Sequence, residues 1–291
     1  MIRVLPLLVV LWGCSDEGAS PAGAIPDLRE ESGLVFGTPQ VYEVELRDNW
    51  TTSVAPSGPV VVARFQDGRS RVTPLYPHGE PYDGPLMGPG EDNSLRSFLG
   101  GGDPSLLALG VDEGNSLMWE LSDDAVAPRE NVLPDRWELQ GARADDTLFV
   151  VESGDLVAVD LPTGGTRPVP LVEERWVLWA STGHGLLLVQ TDNYLQVLDT
   201  EGALRWVTDA VKGVLMVTLD ERTVLLRDVE TEDLVLLDLE PGGFVSERVR
   251  FPWPRMNDRY MAMFPSTGGA SLVSVQWEEG RAVVIPVTWE P

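Results

Sequence analysis

The chain is poor in the residues that most often do chemistry. It has one cysteine and two histidines in 291 residues. A single cysteine excludes an intramolecular disulfide and any multi-cysteine zinc or iron–sulfur site. Two histidines leave little for imidazole-based metal binding or general-base catalysis. Lysine is scarcer still, since Lys212 is the only one among 21 cations. An arginine bias of this kind fits a GC-rich coding sequence, and an acidic surface also suits a salty medium. The cations face 46 acids, for a net charge of −25. That balance lacks the cationic footprint a nucleic-acid or anionic-membrane binder needs, so no nucleic acid is expected as a partner. Long hydrophobic runs are missing too. The N-terminal run, residues 4–12, is far short of the ~20 residues of a membrane-spanning helix, and Pro6 interrupts it. No stretch keeps a helical period through three turns.

What is present suffices for a packed core, because 43% of the residues are hydrophobic. Met1-Ile2-Arg3, then the apolar run to Trp12, has the layout of a secretory signal peptide. Leu11-Trp12-Gly13-Cys14 closes it and resembles the lipobox of bacterial lipoproteins, although Trp12 is bulky for its place in that pattern. The resemblance implies a diacylglycerol thioether on Cys14 and, with it, attachment to a lipid bilayer. Each buried methylene contributes about 0.8 kcal/mol, so two or more acyl chains hold stably where one does not. The expected division is therefore a signal peptide over 1–13, a lipidated cysteine and tether over 14–33, and a folded domain over 34–291. The tether, rich in Ser, Asp, Glu, Gly, Ala and Pro, has the composition of a coil with a root-mean-square span of roughly 24 Å.

Beyond the tether, six pairs of short apolar runs flank Asp-, Gly- or Asn-containing turns. They are 60–65 with 71–75, 106–111 with 116–121, 147–151 with 156–161, 186–191 with 194–199, 223–227 with 234–239, and 271–277 with 282–287. Such pairs are hairpin signals, because those turn residues tolerate positive φ. Asp160, Asp199 and Asp238 each end a second run and recur at intervals of 39 residues. A turn and a further run follow each of them, and another run precedes each hairpin. Four strands recurring about every 40 residues mark the blades of a β-propeller. The expected fold is all-β.

Ala158-Val159-Asp160-Leu161-Pro162-Thr163-Gly164 and residues 197–206, ending in Trp206, resemble the blade motif of pyrroloquinoline-quinone-type propellers. In that family a strand ends on the aspartate, a Thr-Gly turn follows, and a tryptophan docks on the neighbouring blade. The likeness covers 145–245, and only one of the three clear copies keeps the tryptophan. The resemblance implies the architecture; the aspartates themselves read as caps on the amides of the next turn. Shared among six blades, residues 34–291 supply 43 each, whereas seven would leave 37. The expectation is six four-stranded blades, with seven as the alternative. Residues 40–47 are expected to serve as the N-terminal strand that closes the ring on the last blade.

Candidate sites are few. Residues 74–104 form the longest irregular stretch, rich in Pro and Gly, and long loops in compact domains are commonly functional. Read as a connection between blades, it would bring Tyr76, His78, Glu80, Tyr82 and Asp83 to the rim of the central channel, or be a tolerated surface insertion. Phe251-Pro252-Trp253-Pro254-Arg255 offers Trp253 and Arg255 as a contact pair on the same face, with the alternative that Trp253 plugs a gap between blades. His184, without an acidic neighbour, reads as a turn residue rather than a metal ligand. Nucleophile-elbow, phosphate-loop, zinc-protease and calcium-loop motifs are absent. No metal, cofactor or catalytic residue is therefore expected. Two functions remain. One is a monomeric, non-catalytic binding or scaffold lipoprotein of the cell envelope, periplasmic or surface-exposed, with a protein or envelope partner. The other is an extracytoplasmic propeller enzyme of the calcium-dependent hydrolase or lactonase type.

Overall fold

The computed structural model describes residues 32–46, 49–55, 57–64, 70–84, 94–99, 106–112, 115–121, 126–129, 138–152, 154–172, 176–253, 260–266 and 268–290. Cys14, the proposed tether up to residue 31, Pro254 and Arg255 lie outside them. Two short strands come first, β1 (Leu34–Phe36) and β2 (Gln40–Glu43). The first blade is β3 (Asn49–Ala55), β4 (Gly58–Arg64), β5 (Ser70–Pro74) and β6 (Tyr82–Gly84). The second is β7 (Ser94–Leu99), β8 (Leu106–Asp112), β9 (Asn115–Leu121) and β10 (Val126–Arg129). The third is β11 (Glu138–Ala144), β12 (Thr147–Glu152), β13 (Asp155–Asp160) and β14 (Thr166–Pro168). The fourth is β15 (Val177–Gly183), β16 (Leu186–Thr191), β17 (Leu195–Asp199) and β18 (Leu204–Thr208). The fifth is β19 (Gly213–Thr218), β20 (Thr223–Asp228), β21 (Asp233–Leu239) and β22 (Val245–Pro252). A closing sheet follows, with β23 (Tyr260–Ser266), β24 (Gly269–Gln276) and β25 (Arg281–Trp289). Within each sheet consecutive strands pair antiparallel. The first strands of successive sheets adjoin one another, and β23 returns to β3, which makes a ring.

The expectation of six four-stranded blades, or seven, needs correction. Five sheets are four-stranded blades; the remaining one is five-stranded, because β1 and β2 both pair with β25. Leu34 to Phe36 lie opposite Trp289 to Val287, and Gln40 to Glu43 lie opposite Val284 to Arg281. The physical reason is length and proline. The nine residues of β25 offer an edge too long for one short strand, and Pro286 interrupts the ladder midway. There the N-terminal chain passes as Gly37-Thr38-Pro39, with the Gly37 amide on the Pro286 carbonyl at 2.7 Å. A Cβ on Gly37 would come within 2.7 Å of the Pro286 ring, so only glycine fits this crossing.

Packing explains why the middle strands read as unbroken apolar runs. All six residues of β16 are buried. Leu187 and Val189 point into the core shared with the third blade, beside Phe149 and Leu156. Leu186 and Leu188 point the other way, into the core shared with the fifth blade, beside Met216 and Leu226. Alternation is hidden because both faces of a blade are dry. Between the fifth blade and the closing sheet, fully buried Leu34 joins Leu225, Leu236, Leu272 and Ile285. Burying such a leucine contributes about 1.5–3 kcal/mol, so β1 closes the ring by packing as well as by hydrogen bonds.

Candidate protein-docking face

Antiparallel pairing divides the loops between two faces of the ring. Connections between sheets, and the turns between second and third strands, emerge on one face, here the upper one. Turns between first and second strands, and between third and fourth strands, emerge on the lower face. Residues 74–104 are therefore not a single connection, because they contain β6 and β7. Tyr76, His78 and Glu80 lie in the turn between β5 and β6, on the lower face. The Tyr76 ring covers Gly58, where a Cβ would come within 2.8 Å of it, and His78 takes a left-handed φ of 69°. Tyr82 and Asp83 are on β6, with Asp83 2.6 Å from the Arg71 guanidinium. Trp253 is on the upper face, 8% exposed and packed in the core that contains Leu34. Its ring lies 5.9 Å from the Arg227 guanidinium. The expected shared rim does not form: Tyr76 and Trp253 sit on opposite faces, and Trp253 fills a gap between sheets.

The repeat aspartates work within their turns. Asp160 accepts from the Thr163 amide at 2.8 Å and from the Thr163 hydroxyl. Asp199 accepts from the Ala203 amide at 2.8 Å and holds Arg205 at 2.7 and 3.0 Å. Burial alone would raise the Asp199 pKa, and these donors outweigh it and lower it. Asp238 instead takes a two-pronged bond from Arg248, at 2.5 and 2.9 Å. The Trp206 indole reaches the next blade and donates to the Glu240 carbonyl at 2.7 Å. Arg167, at the same position of the preceding repeat, donates across to the Glu201 and Thr200 carbonyls at 2.8 and 3.3 Å. Arg248 reaches the Ser32 carbonyl at 3.3 Å in the same manner. Arginine thus replaces the docking tryptophan in the Asp160 copy; in the Asp238 copy Val249 holds that position, and Arg248 is the bulge residue that matches Arg205. His184 bridges the fourth and fifth blades through Thr218, at 3.1 Å.

A cleft of about 360 Å³ opens on the lower face, lined by Asp220, Arg222, Asp238, Glu240, Arg248 and Trp289. Most of its polar groups are engaged with one another. Trp289 donates to Asp220 at 3.0 Å, and Arg248 stacks 4.9 Å over the Trp289 ring. Among the described residues no group of three or more His, Cys, Asp or Glu is placed to hold a metal ion.

The upper face carries what the sequence reading passed over. Three apolar residues crowd the connection from the third to the fourth blade: Val172, 48% exposed, Trp176, 59%, and Leu178, 40%. In the sequence Trp176 begins the apolar run ahead of the fourth-blade hairpin. Its indole lies over Gly154, whose φ of 93° makes the tight turn between β12 and β13. Val172 is held by its amide on Gln196 Oε1 at 2.8 Å, and Gln196 is fully buried. Asp155, the first residue of β13, and Asp192, between β16 and β17, lie at the same face.

No protein-family model matches the chain, and no curated protein does. Solved structures do. A chain of the mitotic checkpoint complex is similar over 100% of both chains, with a TM-score of 0.53 at 13% identity. BamB from Moraxella catarrhalis is similar over 87% of this chain and 99% of its own, with a TM-score of 0.45 at 13% identity. The N-terminal domain of Nup159 has a TM-score of 0.44 at 12% identity, over 89% of this chain and 96% of its own. The chain is a β-propeller. At such identities the likeness is one of fold alone. Any role for this propeller must come from its own surface, and its inner strands mark the upper rim. β7, β11, β15 and β19 each carry a register shift near that end. Leu215, inside one of these shifts, takes a left-handed φ of 52°. Bulges at a rim re-aim side chains and interrupt pairing.

Proposed function

We propose that this β-propeller is a non-catalytic protein-binding module that docks its partner on the upper face at Val172, Trp176 and Leu178. One observation carries the reading: a tryptophan 59% exposed, resting over Gly154, with exposed Val172 held to a buried glutamine. Exposed aromatics on pre-ordered loops are the usual anchors of protein interfaces, because little side-chain entropy is lost on binding. Acidic neighbours and the net charge of −25 favour a cationic partner and an association that weakens as salt rises. The similar chain of the mitotic checkpoint complex comes from an assembly of proteins, which agrees with a scaffold role.

The proposal extends to location. Leu11-Trp12-Gly13-Cys14, after the apolar run, supports a lipid anchor at Cys14 and a place in the cell envelope outside the cytoplasm. Trp176→Ala should abolish recovery of a crosslinked partner from envelope extracts and leave the melting temperature unchanged. Recovery that survives the substitution overturns the assignment of the face. Cys14→Ser should abolish labelling by a fatty-acid analogue and release the protein from membranes. An unlabelled, soluble native chain would end the anchoring reading without touching the docking one.

A further inference from the structure

Outer strands of an open ring expose a row of backbone donors and acceptors, and proteins guard such edges with prolines, charges or shortness. Most described outer strands here follow that rule. β10 and β14 contain Pro128 and Pro168, β22 carries Glu247, Arg248 and Arg250 and ends on Pro252, and β6 has three residues between Pro81 and Pro85. β18 does not follow it. Leu204-Arg205-Trp206-Val207-Thr208 holds no proline, and its one charge, Arg205, is neutralised at Asp199. Arg205 is the extra residue of a bulge, and regular pairing resumes at Trp206.

Both sides of this edge are apolar. Leu204 and Val207 lie opposite Leu198 and Gln196, on the side that packs toward the third blade, and are 42% and 36% exposed. Trp206 lies opposite Val197, on the side toward the fifth blade. There the Pro241-Gly242-Gly243-Phe244 turn comes alongside: a Cβ on Gly243 would sit 3.6 Å from the Arg205 carbonyl oxygen. The bond from Trp206 to the Glu240 carbonyl clamps that turn to β18. It holds Phe244 with its ring folded over Gly242 and 70% exposed. A strand laid along β18 would turn alternate side chains toward Leu204 and Val207 and toward Trp206 and Phe244.

We propose that the outer edge of β18 accepts an extended segment of a partner protein as an added strand, with alternating apolar residues and Lys or Arg at its ends. Charge decides the occupant. Exposed Glu201 and Asp209 bracket β18, and exposed Glu240 stands beside it. Antiparallel pairing with a second copy would set Glu201 of each chain near Asp209 of the other, acid against acid. A basic segment meets complementary charge at both ends. Val207 lies opposite Gln196, which bonds the Val172 amide, so the two surfaces adjoin, and Trp176→Ala distinguishes the two assignments.

The test is hydrogen–deuterium exchange on the full chain, with a short synthetic peptide of valines flanked by lysines as the probe. Amides of 204–208 should gain protection, and the gain should vanish with the same peptide N-methylated on alternate residues, which removes the donors of one edge. The double variant Val207→Glu, Phe244→Ser changes exposed positions and should keep the native melting temperature while binding the probe at least about tenfold more weakly. Trp176→Ala should bind it unchanged. Absence of protection over 204–208, equal binding of the N-methylated peptide, or concentration-dependent protection of β18 without any peptide each overturns the proposal.

Discussion

Arg250→Met should destabilise the fifth blade through the aspartate it leaves behind. The Asp228 side chain is 6% exposed, and Arg250 Nη1 lies 2.6 Å from Oδ2. The Glu230 amide donates to Oδ1 at 3.0 Å. Burial pushes the Asp228 pKa up, but the Arg250 guanidinium and the Glu230 amide outweigh it, so the carboxyl titrates below its ordinary value. A lowered folded-state pKa contributes stability above the unfolded value, lost as pH falls through the folded one. Without Arg250 the burial remains and the largest lowering contact is gone, so the carboxyl titrates higher than in the native chain. Removing one partner of a buried pair costs about 3–5 kcal/mol, and water at Arg250, 27% exposed, takes the figure to the lower end or just beneath, about 2–3 kcal/mol. For a domain of this size that is a fall in melting temperature of roughly 4–12 °C. Thermal unfolding followed by tryptophan fluorescence would measure it at neutral pH and near pH 4. The deficit should shrink at the lower pH, where the stranded carboxylate protonates. Adding Asp228→Asn should recover a large part of it. A loss below about 2 °C at neutral pH, or a loss independent of pH, refutes the reasoning.

Trp206 should tolerate arginine better than alanine, because Arg167 holds the same position one repeat earlier and makes the same kind of cross-blade bond. Trp206→Ala loses that bond and its packing, about 2–4 kcal/mol in denaturant titrations, and Trp206→Arg less than half of that. Deleting residues 15–31 should leave the melting temperature unchanged, whereas deleting 34–43 removes Leu34 from its core and bares the β25 edge. The second truncation should be cleaved by protease far faster than the first, and equal resistance would mean that β1 and β2 do not close the ring.

The hairpins were legible because each places turn-forming Asp, Gly or Asn between apolar runs, and such signals act over a few residues. The 39-residue spacing of Asp160, Asp199 and Asp238 was legible for the same reason, since each aspartate serves its own turn or strand. The closing sheet was legible only in part. Residues 40–43 pair where expected, and Leu34 to Phe36 add a second pairing because β25 supplies an edge beyond Pro286. Tertiary structure alone decided which residues face solvent between sheets. Trp253 and Trp176 look alike in sequence, each an aromatic beside a blade connection. One is buried in the core between the fifth blade and the closing sheet and the other stands exposed over Gly154, because burial depends on what the neighbouring blade brings to that spot. Arg167 and Arg248 could not be read as docking residues either. Their acceptors are backbone carbonyls of the next sheet, and a carbonyl carries no signature in the sequence.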